Sequence, residues 1–171
     1  MIRAGSILNP GHGLDSHGKS EPPGAGACPS CRRRGHMVPE ITLKALLRGE
    51  ALERRAENVH RFCPEAGCPV VYFGHRESFT VEDVTAPVFQ KNPVGRRLVC
   101  HCFDVTEEAI RRELAETGQS AVQKRITALV KDGRCACEVR NPQGTCCLGN
   151  LAKAVQDVRE SLEHQAGLIR K

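Results

Sequence analysis

The sequence predicts an α+β protein, with a small unit of turns and strands at residues 28–97 followed by a mostly helical unit at residues 98–171. Three observations support this division. The run Val70–Phe73 is rich in β-formers and follows directly after a pair of cysteines. After residue 104, apolar residues recur at every third or fourth position, which is the period of an amphipathic helix. Ten cysteines fall into close pairs divided between the two halves, so each unit is expected to hold a metal site of its own.

The composition favours metal binding over a large apolar core. Only 4% of the residues are aromatic and Trp is absent, and small domains with little core commonly use a structural metal. Disulfides are the alternative use of many cysteines, but residues 1–19 contain no continuous apolar segment of signal-peptide length. No stretch approaches the roughly 20 apolar residues of a membrane span. We therefore expect a cytoplasmic protein whose thiols are reduced.

The charge distribution argues against a nucleic-acid partner. The net charge of +5 is modest, and a nucleic-acid-binding protein usually has a stronger basic face with interleaved aromatic residues. Basic residues cluster at Arg32–Arg34 and at Arg96–Arg97, while acidic residues are spread through the rest of the chain. Both clusters are expected to be solvated loops.

Residues 1–27 are rich in Gly, Ser, Pro and His and are expected to form a mobile, disordered tail. Within this segment, residues 13–20 match the phosphate-loop pattern G-x4-G-K-S. That motif functions between a strand and a helix, and the Pro and Gly residues on both sides of it exclude the helix. No nucleotide site is expected here, and His12 and His17 are expected to be tail residues rather than ligands.

Two cysteine-bearing turns supply four thiolates in the first unit. Cys28-Pro-Ser-Cys31 opens the unit, and Phe62-Cys-Pro-Glu-Ala-Gly-Cys68 leads into the predicted strand. Such turns recur in zinc ribbons and treble-clef folds. Four thiolates from two close pairs form the ligand set of a closed tetrahedral zinc site, and closed sites are usually structural. The predicted metal ligands are Cys28, Cys31, Cys63 and Cys68, with His36 or His60 as a substitute for one thiolate.

The remaining elements of the first unit are predicted to be short. Residues 42–47 have the composition of a short helix, with Thr42 as its N-cap. Residues 78–93 are predicted to form a short strand and a connecting loop, because Pro87 and Pro93 break any longer element.

Three helices are predicted in the second unit. Asp104-Val-Thr-Glu107 has the form of a capping box ahead of a helix that ends at Gly118. Ser120-Ala-Val-Gln123 is a second box ahead of a helix that ends at Gly133, and a third helix begins near Cys147. The apolar faces of the second and third helices are formed by Val122, Ile126, Leu129 and Val130, and by Leu148, Leu151, Val155, Val158 and Leu162.

The cysteines of the second unit have a different pattern. Cys100-His-Cys102 is followed, more than 30 residues later, by a loop that carries Cys135-Ala-Cys137 and Cys146-Cys147 and ends where the third helix begins. Iron–sulfur clusters need four thiolates, and loop amides and helix N-termini can donate hydrogen bonds to the sulfur atoms. The sequence Val99-Cys-His-Cys-Phe-Asp-Val-Thr-Glu-Glu-Ala-Ile110 resembles the [2Fe–2S] domain of bacterioferritin-associated ferredoxin, in which a C-x-C pair precedes a V-T-E helix.

Three segments resemble the N-terminal region of CopZ-type copper chaperones, which carry a zinc ion and a [2Fe–2S] cluster. The segments are residues 28–31, 62–73 and 135–149, and the resemblance extends from about residue 28 to residue 158. It implies zinc at the four cysteines of the first unit. It also implies a [2Fe–2S] cluster at Cys100, Cys102, one of Cys135 and Cys137, and one of Cys146 and Cys147.

Within the second set, Cys137 and Cys147 are the preferred ligands. Cys147 would lie at the N-terminus of the third helix, where the helix dipole stabilises a thiolate. Cys135 and Cys146 would then be small buried residues or spare thiols that bind an exogenous metal.

The resemblance implies a metallochaperone-type redox protein that transfers electrons to a soft metal or assists in its handling. Copper is the metal implied, and mercury is another thiophilic candidate. The expected partners are an electron donor or acceptor protein and a transporter of the metal. The M-x-C-x-x-C copper loop of the complete chaperones is absent from this sequence, whose methionines are Met1 and Met37, so direct Cu(I) carriage by that loop is not expected.

A non-redox zinc-binding module is the alternative function, with a protein partner or with nucleic acid bound through Arg32–Arg34. The chain is not expected to be an enzyme beyond one-electron reduction of a metal, because no His and Asp or Asn set is recognisable around any thiol. His101 is expected to face solvent or to donate a hydrogen bond near the metal rather than to act as a base.

Overall fold

The computed structural model describes residues 26–169 of the chain. The expected tail at residues 1–27 and the phosphate-loop pattern at residues 13–20 therefore lie outside the described residues, apart from Gly26 and Ala27. These two residues pair with the first unit. Gly26 accepts a backbone hydrogen bond from Gly35 at 2.8 Å, and Ala27 forms an antiparallel bridge with Arg34.

Short strands and helices of mixed order make up residues 26–169, and this mixture confirms the predicted combination of helix and sheet. The strands are β1 (His36–Met37), β2 (Arg61–Phe62), β3 (Val70–Phe73), β4 (Ser78–Thr80), β5 (Leu98–Cys100) and β6 (Val105–Thr106). The helices are α1 (Glu40–Leu46), α2 (Gly49–Glu53), α3 (Glu107–Thr117), α4 (Val122–Lys131), α5 (Cys137–Arg140) and α6 (Leu148–Ile169). A 3-10 turn at Val81–Asp83 follows β4.

Strands β1 to β4 form one antiparallel sheet in sequence order. Phe62 of β2 lies opposite His36 of β1 and Tyr72 of β3. The predicted bounds of β3 are confirmed, and all four of its residues are buried, as their β-branched and aromatic character leads one to expect. Strands β1 and β2 have two residues each and carry no periodic signal, so their existence depends on pairing within the sheet, where β2 pairs with β3 and β1 pairs with β2.

Helix α1 begins earlier than predicted. Glu40 is its first residue and Pro39 occupies the N-cap, so the prediction of Thr42 as N-cap is wrong. Thr42 lies inside the helix, is fully buried, and donates a hydrogen bond from Oγ1 to Glu138 O at 2.5 Å. A contact with the second unit, rather than a local cap, therefore uses this hydroxyl.

The N-cap of helix α3 lies two residues after the predicted capping residue. Thr106 is the N-cap, and its Oγ1 accepts a hydrogen bond from Ala109 N at 3.2 Å. Asp104 instead has φ 50° in the turn that precedes β6, so the capping box predicted at Asp104 is wrong. Gly118 ends the helix with φ 70°, as predicted, because the left-handed conformation favours glycine.

Helices α4 and α6 carry the predicted apolar faces. Val122 and Ile126 of α4 are buried, as are Leu151 and Val158 of α6. The second predicted capping box is wrong, because Ser120 donates from Oγ to Glu113 rather than capping α4. No helix among residues 26–169 is both long enough and apolar enough to span a membrane.

The buried apolar residues form separate clusters. The first includes Leu43, Phe62, Tyr72 and Phe79, and the second includes Ile110, Ile126, Leu151 and Val158. Every buried member of the first cluster precedes Phe89, and Phe89 belongs to the second. This separation is compatible with two units, and the boundary at residues 97 and 98 stays a prediction.

Arg97 is the main exception to the predicted solvated loops. Its side chain is buried and forms ion pairs with Glu107 and with Asp157. The prediction is therefore wrong for Arg97, whereas Arg96 is exposed. Both acidic partners lie in helices of the second unit, too far along the chain for the local sequence to reveal them.

Candidate metal centres

The four thiols predicted as zinc ligands lie together. The sulfur atoms of Cys28, Cys31, Cys63 and Cys68 are all within 4.8 Å of one another. The Cys28–Cys68 distance is 3.8 Å and the Cys31–Cys63 distance is 3.5 Å. Tetrahedral Zn–S bonds of about 2.3 Å place sulfur atoms about 3.8 Å apart, so the group has the dimensions of a single tetrahedral site.

Backbone hydrogen bonds fix the two turns that carry these thiols. In the first turn, Cys28 N donates to Arg33 O at 2.8 Å and Arg32 N donates to Cys28 O at 2.9 Å. Arg32 adopts φ 64°, which closes the turn. The second turn is joined to the sheet, because Cys63 N donates to Val71 O at 2.9 Å. One pair of thiols is therefore held by a self-closed turn and the other by β3.

Burial and hydrogen bonding divide the thiols by acidity. Burial raises the pKa of Cys28 and brings that of Cys63 to about 12. Burial also acts to raise the pKa of Cys68, but hydrogen bonds from Val70 N–H and from neighbouring side chains, including Ser30, outweigh it and bring the pKa to about 7. Cys68 is therefore the most readily ionised of these three. A bound cation offsets the cost of ionising the others, because metal binding displaces the thiol protons.

Neither histidine that was considered as a substitute ligand belongs to this group. His60 is buried, and its ring nitrogens lie 3.0 Å from Asn58 O and 2.8 Å from Glu77 Oε1. His36 donates from Nε2 to Gln143 O at 3.1 Å. Both side chains form hydrogen bonds with other groups. Among residues 26–169, the group of potential metal ligands in the first centre therefore consists of the four cysteines alone.

Four of the cysteines in the second unit meet in two pairs. Cys102 Sγ lies 3.9 Å from Cys137 Sγ, and the Cys147 thiol donates a hydrogen bond to Cys100. Cys100 ends β5, Cys137 begins α5 and Cys147 immediately precedes α6. These three are buried, whereas Cys102 is half-buried. Each pair therefore joins one cysteine of the Cys100-His-Cys102 sequence to one cysteine of the later loop.

Backbone N–H groups lie near three of these sulfur atoms. Ala136 N donates to Cys102 Sγ at 3.3 Å, the N–H groups of Phe103 and Cys102 are close to the Cys100 thiol, and that of Cys147 is close to the Cys137 thiol. Such bonds favour the negatively charged form of sulfur. The site thus supplies four thiols and several amide donors, which is the environment that thiolate-bound clusters use.

The two members of a pair differ in acidity. The hydrogen bond from Cys147 lowers the pKa of Cys100 to about 6, and the same contact raises the pKa of Cys147. Burial raises the pKa of Cys137 to about 12. The predicted stabilisation of a Cys147 thiolate by the helix is therefore outweighed by neighbouring thiols and burial, and the favoured thiolate is Cys100.

The remaining two cysteines line the surface beside this group. Cys135 is half-buried and Cys146 is exposed, so the expectation of a small buried residue is wrong for Cys146. Together with Cys137, they line an open cavity of about 560 Å³. The second group is therefore adjacent to solvent on the side of the later loop.

His101 does not face solvent, contrary to one of the two expectations for it. Its side chain is 7% exposed, and its Nε2 atom has no hydrogen-bond partner among the described residues. Burial lowers its pKa to about 4, although the nearby Asp104 acts to raise it. The ring is therefore neutral near pH 7 and contributes packing next to Cys100 and Cys102.

Sequence reasoning missed three side chains of the first unit that form hydrogen bonds with the segment between Cys137 and Cys147 in the second unit. Tyr72, Thr42 and His36 each donate a hydrogen bond to a backbone carbonyl of that segment. One signal could have indicated Tyr72. It is the sole tyrosine in the sequence, it lies in an otherwise apolar strand, and a buried tyrosine hydroxyl usually has a hydrogen-bond partner.

The chain is similar to CopZ proteins in sequence and in structure. Residues 25–85 match the sequence profile of the CopZ zinc-finger family, which is described as a zinc binding domain. The fold matches the X-ray structure of the Archaeoglobus fulgidus CopZ N-terminal domain with a TM-score of 0.61 and 26% sequence identity. That match covers 74% of this chain and 95% of the other. No curated protein sequence matches the chain significantly. The chain therefore contains a CopZ-like zinc-binding domain within a fold similar to that of the CopZ N-terminal domain.

Proposed function

We propose that this chain is a zinc- and [2Fe–2S]-binding redox protein of the metallochaperone type, which supplies electrons to a soft metal ion or assists in its handling. The arrangement of Cys100, Cys102, Cys137 and Cys147 in two pairs carries the proposal. A zinc-binding module alone would not require a second group of four thiols. The CopZ-like zinc-binding domain supports a metal-handling function independently of the second group.

In this proposal zinc is bound by Cys28, Cys31, Cys63 and Cys68 and is structural. Three of these four residues are buried, and Cys31 is half-buried. All four positions of a tetrahedral ion would be occupied by protein, which leaves no position for a substrate. The zinc would therefore stabilise residues 28–97 as a unit and take no part in electron transfer.

The cluster would be bound by the two thiol pairs of residues 98–171. A [2Fe–2S] cluster supplies one-electron redox chemistry when bound, and hydrogen bonds to sulfur together with solvent exposure set its potential. The chain's own contribution is the amide donors at Ala136, Phe103 and Cys147, and the burial of the Cys100 and Cys147 side chains. These groups exclude water from one side of the site and favour negative charge on sulfur.

The open cavity beside Cys137 is the proposed approach for a metal ion or an electron-transfer protein. It is adjacent to the half-buried Cys135 and the exposed Cys146, which are not among the proposed cluster ligands. Thiolates favour soft ions such as Cu(I) and mercury. Copper is preferred because the chain is similar to CopZ proteins, and a copper transporter is the corresponding partner. We propose a cytoplasmic location, because thiols stay reduced there and can bind metal.

The test is a metal analysis of protein purified without oxygen. We expect two irons, two sulfides and one zinc per chain, with visible absorption bands that dithionite bleaches. Addition of Cu(II) to the reduced protein should then restore the bands in proportion to the copper added, because each Cu(II) accepts one electron. Zinc without iron or sulfide would overturn the redox function and favour the non-redox zinc-binding module.

A further inference from the structure

We propose that the zinc-binding unit positions the cysteine loop of the second centre, with Tyr72 as the principal positioning residue and Thr42 and His36 in support. The inference rests on the proposed function, because it assigns Cys137 and Cys147 to a cluster. We call residues 137–147 the ligand loop, since Cys137 and Cys147 lie at its two ends.

Three side chains of the first unit bond the ligand loop through its backbone carbonyls. Tyr72 donates from its hydroxyl to Pro142 O at 2.7 Å, and Thr42 donates from Oγ1 to Glu138 O at 2.5 Å. The third bond is the one from His36 Nε2 to Gln143 O at 3.1 Å. Tyr72 and Thr42 are fully buried, so water cannot replace the bonds that they make.

Tyr72 is joined closely to the second cysteine turn. It lies in β3, which begins two residues after Cys68, and the neighbouring Val71 accepts the backbone hydrogen bond of Cys63 at 2.9 Å. Phe62, the residue before Cys63, packs edge-on against the Tyr72 ring with the centroids 6.3 Å apart. If zinc orders the turn at residues 63–68, it should therefore also order β3, the strand that carries the Tyr72 hydroxyl.

His36 is joined to the first cysteine turn in the same manner. The turn at residues 28–34 is continued by the bridge between Ala27 and Arg34, and β1 begins two residues after Arg34. The His36 ring packs on Phe62 with the centroids 5.1 Å apart. Both cysteine turns thus lead directly to a side chain that bonds the ligand loop.

The ligand loop has an internal hydrogen bond and a glycine that allow it to pack closely against the first unit. Asn141 is buried and donates from Nδ2 to Thr145 O at 2.7 Å, which closes the loop on itself. Gly144 has φ 66°, and a Cβ atom there would lie 2.7 Å from Pro39 Cδ and 2.9 Å from Thr42 Oγ1. The loop therefore packs against α1 at a distance that only glycine permits.

The two centres should consequently be coupled. Metal binding to cysteine turns is linked to their folding, so loss of zinc should loosen β1 and β3. The carbonyl contacts to residues 138–143 would then weaken, and Cys137 and Cys147 would be held less firmly. Zinc in the first centre should slow the loss of iron from the second, although it has no redox function.

The first experiment compares Tyr72→Phe and Thr42→Val with Thr85→Val in the full chain loaded with both metals. Thr85 is the control for the type of bond, because its Oγ1 donates to a backbone carbonyl, Leu46 O at 3.1 Å, within the first unit, although Thr85 itself is exposed. Iron release to a strong chelator is followed by the decay of visible absorption. Tyr72→Phe should release iron about fivefold faster than wild type, the factor expected for one buried hydrogen bond, and Thr85→Val at the wild-type rate.

A zinc-deficient form tests the coupling itself. Cys31→Ser should release iron faster than wild type, and adding Tyr72→Phe to it should accelerate release less than the same change does in wild type. The visible circular dichroism of the bound cluster should change in Tyr72→Phe but not in Thr85→Val. Equal release rates for Tyr72→Phe and Thr85→Val, or no effect of zinc deficiency, would overturn the inference.

Hydrogen exchange separates this inference from the proposed function. If wild type holds zinc but no iron, the cluster proposal fails. The effect of the zinc-binding unit on the ligand loop can still be measured, as the hydrogen-exchange rates of the backbone amides in residues 138–147. These amides should exchange slowly with zinc bound, and faster in Cys31→Ser and in Tyr72→Phe. Unchanged exchange in both variants would show that the zinc-binding unit does not position the loop.

Discussion

Arg97 donates from Nε to Glu107 Oε1 at 2.7 Å, and both side chains are almost fully buried. Asp157 of α6 accepts a second bond from Arg97 at 2.6 Å, and the guanidinium lies 4.3 Å from the centre of the Phe89 ring. Glu107 also accepts from Gly95 N at 2.5 Å. The Arg97–Glu107 pair therefore joins the segment before β5 to the first residue of α3, and Asp157 joins the same segment to α6. Strand β5, which ends at Cys100, lies next to this pair in the sequence.

Breaking this pair should be costly. Glu107→Gln leaves the buried Arg97 with only Asp157 as a counter-charge, so we expect the free energy of unfolding to fall by about 3 kcal/mol. Lys153→Ala removes the exposed partner of Asp157 and should cost at most about 1 kcal/mol. Urea denaturation of both variants measures the difference. Equal losses would show that burial adds nothing to the Arg97 pair.

Neighbouring cysteines should differ sharply in iron binding. Cys147→Ser should abolish most of the iron and sulfide, because Cys147 is buried against Cys100, whereas Cys146→Ser should retain both. The pair is matched in chemistry and in sequence position and differs in exposure. Iron and sulfide analysis of protein purified without oxygen measures the outcome. Loss of iron in Cys146→Ser with retention in Cys147→Ser would reverse the assignment.

The first centre should determine the stability of the zinc-binding unit. Cys63→Ser removes one buried thiol of the proposed zinc site, so the zinc content should fall well below one per chain and the unfolding free energy by several kcal/mol. Cys146→Ser is the control, because it removes an exposed thiol outside the four-thiol group. Zinc analysis and thermal denaturation measure the two effects. Full zinc content in Cys63→Ser would exclude this residue as a ligand.

Asp83 should contribute a pH-dependent part of the stability. Burial acts to raise its pKa, but hydrogen bonds from Thr80 N–H and Arg54 outweigh burial and hold the pKa below the ordinary value of 3.8. Because the pKa is lower in the folded state, the contribution is fully present above about pH 5 and is lost as the pH falls through 3.8 towards the folded value. Asp83→Asn should therefore lower the unfolding free energy by about 1 kcal/mol at pH 7.

The difference between wild type and Asp83→Asn should shrink as the pH falls below about 4. Glu82→Gln, which changes the exposed neighbouring carboxylate, is the control and should have little effect at either pH. Urea denaturation at pH 7 and at pH 3.5 gives the comparison. A difference that grows on acidification would contradict the assigned direction of the Asp83 pKa.

Local signals in the sequence predicted the features that depend on a few adjacent residues. The bounds of β3 follow from four consecutive β-formers, and the end of α3 follows from Gly118 in a left-handed conformation. The grouping of thiols in the first centre could also be anticipated, because its ligands occur in close pairs. The ferredoxin-like character of the second unit stays a prediction.

Features that depend on distant partners could not be predicted. Thr42 has the appearance of an N-cap, but its hydroxyl bonds Glu138 in the other unit. Arg97 resembles a solvated residue until Glu107 and Asp157 are brought to it. Strands β1 and β2 and helix α5 are too short for periodicity to reveal, and they exist because of pairing and packing. The spacing of cysteines likewise does not show which sulfur atoms meet across the second centre.

The close approach of the ligand loop to α1 can be measured with two glycine substitutions. Gly118→Ala places a Cβ at φ 70° with no atom within 4 Å, so it should cost about 1 kcal/mol for the backbone conformation alone. Gly144→Ala has a similar φ of 66° but would also bring its Cβ to 2.7 Å from Pro39 Cδ. We expect it to cost roughly 2–4 kcal/mol, because packing must shift as well.

Urea denaturation of the two glycine variants isolates the contact, since the backbone cost is common to both. Gly144→Ala should lower the unfolding free energy more than Gly118→Ala does. That additional loss measures the close contact of Gly144 with Pro39 and Thr42. That excess should be accompanied by faster hydrogen exchange at residues 138–147, whereas Gly118→Ala should leave those amides unchanged. Equal costs for the two substitutions would mean that the loop moves away from Pro39 freely. The ligand loop would then not be held by the zinc-binding unit at this point.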